Sequence, residues 1–172
     1  VSSVLFRYIR HGRYNLNLYF FFKHKTAYVF CRRDGSSDVC SSDLYNLNKK
    51  VKFIQHCKDI PLAYSLADGK VSSSVEPEAF GRVSVEAQAM GKPIIASDIG
   101  GSKETVINKK TGFLYNHDDP RELAKSLNTV IQLSSDELKS IGNEGRKNII
   151  KKFDVEIMCQ SNLKEYKKLI KN

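Results

Sequence analysis

Apolar positions along this chain switch between alternation and helical spacing, and each switch marks an element. Val51-Lys52-Phe53-Ile54-Gln55 alternates and predicts a strand. Asp59, with Pro61 in the first turn, predicts a helix running to about Ala67. Residues 70–75 are short and partly β-branched and predict a second strand. Glu76 and Pro77 end it, because proline donates no ladder hydrogen bond. From Arg82 the apolar residues fall at Val83, Ala87 and Met90, with Val85 and Ala89 beside them, which is helical spacing. Gly91 and Pro93 stop that helix. Residues 92–97 have a continuous apolar centre, as parallel strands covered on both faces do. A loop at 97–101 leads to a short helix over 102–107, and Lys110-Thr111-Gly112 turns into a strand at 113–115.

Three helices close the pattern. The first starts at Asp119-Pro120, with Leu123, Leu127, Val130 and Ile131 in phase. The second is capped by Ser134 or Ser135 and carries Leu138, Ile141 and Ile149. The third is capped by Asp154 and carries Ile157, Leu163, Tyr166 and Leu169. Strand-helix-strand units of this kind predict an α/β, Rossmann-like parallel sheet with flanking helices, built from strands near 52, 72, 95 and 114. Gly69-Lys70 precedes the 71–75 run, and its glycine and charge are expected to weaken that strand's start.

The run from Glu76 to Glu104, EPEAFGRVSVEAQAMGKPIIASDIGGSKE, carries the candidate chemistry. In such sheets ligands lie beyond the carboxyl ends of the strands, and helix amino ends face anions. Glu78, Phe80, Gly81 and the first helical amides fall at that edge, and Glu86 sits just over one turn into the helix. Two glutamates at this spacing are weak evidence alone, since a helical glutamate is usually solvated. The surrounding order is specific: Pro-Glu-Ala-Phe-Gly, then Glu-Ala-x-Ala-x-Gly-x-Pro, a strand into Asp98-x-Gly-Gly, Glu104-x-Val106 and Gly112-Phe113-Leu114. From about Val51 to Leu169 the chain resembles the carboxy-terminal, donor-binding half of GT-B retaining glycosyltransferases, the glycosyl transferases group 1 family.

The resemblance implies roles at matching positions. Glu78 looks like the first glutamate of the family's E-x7-E motif, the catalytic-site residue facing donor sugar and diphosphate. Glu86 looks like the second, which holds the ribose hydroxyls. The amides of Phe80, Gly81, Arg82 and Val83 would approach donor sugar and diphosphate. Arg82 stands where many relatives carry an apolar residue. The loop around His56 to Lys58 would lie near the nucleobase. The implied reaction moves a sugar from a nucleotide-sugar donor to a glycan or lipid-linked acceptor with retention of configuration, without metal or other cofactor, in cell envelope polysaccharide biosynthesis. The family's diphosphate-clamping arginine and lysine, and its acceptor domain, would fall upstream of residue 45, so the 172-residue chain is expected to bind donor weakly and not to transfer.

Residues 36–44, SSDVCSSDL, resemble the translation of a common sequencing-library adapter, and 23–28 nearly match its other end. Tyr14-Asn15-Leu16-Asn17 recurs as Tyr45-Asn46-Leu47-Asn48 on the far side. Residues of about 18–44 therefore read as an insert, 1–44 as a non-native leader, and 45–172 as the nucleotide-sugar-binding domain. The other reading is a genuine amino-terminal arm. The insert is expected to pack poorly against the sheet.

Composition then adds little. Cys31 and Cys40 lie in the suspect segment, while Cys57 and Cys159 are far apart and lack metal-ligand spacing, so a reducing cytoplasm fits. The net charge is +9, part of it from a late cluster that includes Lys164, Lys167, Lys168 and Lys171. A solvated helix face explains that cluster, and a peripheral contact with an anionic membrane or acceptor glycan is the second reading. No nucleic-acid motif is present. Two rivals stand beside the transferase: a non-catalytic nucleotide-sugar-binding module, and an NAD-dependent Rossmann enzyme suggested by Gly100-Gly101 but lacking a G-x-G-x-x-G run.

Overall fold

The computed structural model describes strands at 19–23, 26–30 and 51–54 and then residues 59–170. The strands are β1 Tyr19–Lys23, β2 Thr26–Phe30, β3 Val51–Ile54, β4 Gly69–Ser72, β5 Ile94–Ser97 and β6 Gly112–Tyr115. The helices are α1 Ile60–Leu66, α2 Arg82–Ala89, α3 Ser102–Thr105, α4 Pro120–Gln132, α5 Ser135–Phe153 and α6 Val155–Ile170. One sheet joins the strands in the order β3-β2-β1-β4-β5-β6. The β4, β5 and β6 strands are parallel, with Val71 opposite Ile95 and Ile95 opposite Phe113. Helices flank this parallel unit, which gives the expected α/β architecture.

Local chemistry accounts for most boundaries. Asp59 caps α1 by accepting from the Leu62 amide at 2.9 Å. The α2 helix ends in a Schellman motif: Gly91 takes φ +67, its amide donates to the Gln88 carbonyl, and the Lys92 amide donates to Ala87. Asp119 caps α4 through the Arg121 amide, and Ser134 with Glu137 forms a capping box on α5. Asp154 accepts from the Glu156 amide at 2.9 Å and opens α6.

Three expectations need correction. The strand read at 70–75 runs instead from Gly69 to Ser72. The strand nonetheless forms through Lys70. The Lys70 amide donates to the Pro93 carbonyl at 2.9 Å, and its side chain is fully buried. Past the strand's end the Ser74 hydroxyl donates to the Glu78 carboxylate. Second, the sheet expected from the strands near 52, 72, 95 and 114 alone also holds β1 and β2, which lie between β3 and β4, and β1 runs antiparallel to both β2 and β4. Third, the segment expected to pack poorly supplies those two strands. Tyr-Phe-Phe-Phe-Lys and Thr-Ala-Tyr-Val-Phe are rich in aromatic and β-branched residues. Such sequences pair readily with the open edges that β3 and β4 would otherwise present.

One core cluster joins Tyr64 and Ala67 near α1, Ala87 on α2, Ile94 and Ala96 on β5, and Val106. The α2 helix lies on β4 and β5, and α4 lies on β5 and β6 with Leu123, Leu127 and Val130 buried. The α6 helix buries no residue: Leu163, Tyr166, Leu169 and Ile170 are all exposed. Among the described residues no helix is long and apolar enough to cross a membrane.

Candidate functional site

Two loops leave the carboxyl ends of β4 and β5 and meet. The first carries Glu78 and Phe80, and the second carries Gly100 and Gly101. The Gly101 amide donates to the Glu78 carbonyl at 2.8 Å. A Cβ on Gly100 would come 2.5 Å from that same carbonyl oxygen, and one on Gly101 would run into the Phe80 carbonyl. The two glycines are therefore needed for backbone-to-backbone contact. That contact by itself accounts for glycine at both positions.

Gly81 ends the first loop with φ +70, a conformation that favours glycine, and serves as the N-cap of α2 without a side-chain cap. The first turn of α2 is thus open to an acceptor from outside. Arg82 is exposed there, and Val83 is half-buried. Behind the loop, Ser84 Oγ lies 3.3 Å from Ser102 Oγ, and Gln88 donates to the carbonyls of Ser84 and Thr105. These buried contacts lock α2 to α3. The Phe80 ring packs edge-on against Phe153 at the end of α5, with centroids 5.7 Å apart.

Each glutamate has a hydroxyl partner. Glu78 accepts from Ser74 Oγ. Glu86 accepts from the Tyr64 hydroxyl at Oε2, 3.3 Å away, while Arg82 Nη2 stands 3.4 Å from Oε1. The Arg82 side chain is 82% exposed, so that ion pair contributes little. Lys70 Nζ lies 5.3 Å above the centre of the Tyr64 ring. Burial pushes its ammonium down to about 6, and the charge of Glu86 opposes that shift.

Glu78, Phe80, Gly81, Arg82, Val83 and Glu86 thus fall on one loop-and-helix corner at the carboxyl edge of the parallel strands. The proposed nucleobase loop at 56–58 lies outside the described residues. Sequence reasoning did not single out Ser74 or Tyr64. Ser74 sits in a serine run that reads as strand, and Tyr64 is 22 positions from Glu86. Among the described residues no group of three or more His, Cys, Asp or Glu side chains could hold a metal ion.

Residues 38–148 match the family described as glycosyl transferases group 1. The chain is 32% identical over 113 residues to the capsular polysaccharide biosynthesis glycosyltransferase CapM of Staphylococcus aureus, covering 66% of this chain and 29% of CapM. It is 33% identical over 121 residues to spore coat protein SA of Bacillus subtilis, covering 69% and 32%. Among solved structures, a glycosyltransferase from Rickettsia africae superposes with a TM-score of 0.71 at 35% identity, covering 77% of this chain and 35% of that one. Anabaena HepE in complex with UDP superposes with a TM-score of 0.69 at 31% identity, covering 74% and 35%. The chain spans about a third of the length of these relatives. By this match, over more than half its length, the chain belongs to the glycosyl transferases group 1 family.

Proposed function

We propose that this chain forms the donor side of a glycosyltransferase that moves a sugar from a nucleotide-sugar donor to a glycan or lipid-linked acceptor with retention of configuration. The observation that carries the reading is the seam between the Glu78 loop and the Gly100-Gly101 loop, with the open amino end of α2 beside it. A diphosphate placed there meets amides rather than carboxylates. Glu78, held by Ser74, faces the donor sugar, where positive charge develops as the anomeric bond breaks. The amides of Phe80, Gly81, Arg82 and Val83 meet the negative charge that grows on the leaving diphosphate. Glu86, one turn further on, takes the ribose hydroxyls. The UDP held by the Anabaena relative supports a nucleoside diphosphate as the ligand class.

All of these groups lie in residues 45–172, and residues 1–44 are read as a non-native leader contributing none of them. Expressing 45–172 alone and titrating it with UDP, GDP and ADP tests that division. Binding equal to that of the whole chain is expected; because the deletion also removes β1 and β2 from the sheet, circular dichroism accompanies it, and lost binding by a folded 45–172 would assign 1–44 a part in the site. Titrating the whole chain with nucleotide sugars and with NAD tests the ligand class, with binding of the former alone expected. Saturable NAD binding would instead favour the dinucleotide enzyme. A second reading concerns α6, whose exposed Leu163 and Tyr166 stand beside Lys164, Lys167 and Lys168. A helix of that composition suits an anionic membrane surface, and co-sedimentation with vesicles containing an anionic lipid tests it.

A further inference from the structure

We propose that Tyr64 is a positioning residue for Glu86: its buried phenol fixes the carboxylate and thereby sets how strongly the protein distinguishes ribonucleotides from 2′-deoxyribonucleotides. The inference rests on the reading of Glu86 as the ribose ligand.

Tyr64 is 2% exposed, and its ring belongs to the core cluster with Ala87, Ile94 and Ala96. The helix that carries it is pinned at its start by Asp59 and at its end by Ala67, whose amide reaches the carbonyls of Ala63 and Tyr64. The hydroxyl therefore has little freedom. It donates to Glu86 Oε2 at 3.3 Å in a partly buried setting. The other carboxylate oxygen stands 3.4 Å from the exposed Arg82 guanidinium. Of the two contacts, the one on a rigid, buried ring orients the group. The Glu86 side chain is itself 36% exposed, so a ligand can reach it. A diol binds a carboxylate well only if the carboxylate is already oriented, because ordering a free glutamate side chain opposes binding.

Among the described residues, Lys70 and Arg82 are charged groups that face this pair. Lys70 Nζ stands over the Tyr64 ring, 5.3 Å from its centre. Tyr64 lies below the site, and its effect on a nucleotide passes through Glu86.

The test is calorimetric titration of the 172-residue chain with UDP, GDP and ADP, each paired with its 2′-deoxy counterpart. The unaltered chain should prefer the ribonucleotide. Tyr64→Phe keeps the ring and should weaken ribonucleotide binding about 2–10-fold while leaving the 2′-deoxynucleotide within about twofold. Glu86→Ala should abolish the preference, and Tyr64→Phe added to Glu86→Ala should change nothing further. A lost preference in Glu86→Ala with an intact one in Tyr64→Phe would overturn the positioning role alone. An intact preference in Glu86→Ala would overturn the ribose reading and this inference with it. If Tyr64→Phe does not fold, the Tyr64 ring resonances of the unaltered chain decide: they should shift with the ribonucleotide and far less with its 2′-deoxy form. Equal shifts would contradict the proposal.

Discussion

The Gly101 amide donates to the Glu78 carbonyl at 2.8 Å and so ties the loop after β5 to the loop after β4. Because this contact is main chain to main chain, it depends on what the two glycines lack. Gly100→Ala would force a side chain onto a residue at φ +53 and onto the Glu78 backbone. Gly101→Ala would press against the Phe80 carbonyl, with no flexible atom to yield. Each should cost about 1–3 kcal/mol through strain and overpacking. Thermal melts should show the loss, and nucleotide binding should fall with it.

A similar contrast holds on α5. A Cβ on Gly142 would run into the Gly91 backbone, whereas one on Gly145 would meet the Gln88 side chain at 3.1 Å. Gly142→Ala should therefore lower the melting temperature clearly. Gly145→Ala should lower it less, since its Cβ would meet the Gln88 side chain at 3.1 Å and the Thr111 carbonyl at 3.3 Å instead of overlapping backbone. Comparison of the two melts checks the packing of α5 on α2.

Lys70 gives stability a pH dependence. Its amine titrates at about 6 in the folded chain and at the ordinary 10.5 when unfolded. Between those values the unfolded state holds a proton that the folded state lacks, so this group makes stability rise with pH from about 6 to 10.5. Below about 6 both states are protonated, and the dependence stops. Lys70→Met should flatten the slope and stabilise the fold near pH 6 by roughly a few kcal/mol. Urea melts across that range would show it, and a slope unchanged by the substitution would contradict the burial of Lys70.

Much of this fold is legible in the sequence because its punctuation is local. Asp59, Gly91, Asp119, Ser134 and Asp154 each act within a turn of where they sit, and each marks the boundary read from it. The Glu78 to Glu86 corner is likewise contiguous in sequence. What could not be read is non-local. The pairing of Phe21 with Lys70 and of Ala27 with Val51 depends on which strand edges are open, not on either segment alone. Glycine is another case: Gly100 and Gly101 read locally as a tight turn, and the Glu78 and Phe80 backbones they must clear are visible only in the fold. Tyr64 gives only the apolar signal of a core residue, and its hydroxyl acquires a role through the α2 helix.

The central claim is that the Glu78 to Glu86 corner binds a nucleotide-sugar donor. Calorimetric titration of the 172-residue chain with UDP-, GDP- and ADP-glucose and with free glucose tests it most directly. One of the nucleotide sugars should bind saturably and free glucose should not, with Glu86→Ala weakening the nucleotide sugar by about 1–3 kcal/mol, or roughly 5–150-fold. Absence of binding by all three, or affinity unchanged in Glu86→Ala, would contradict the account.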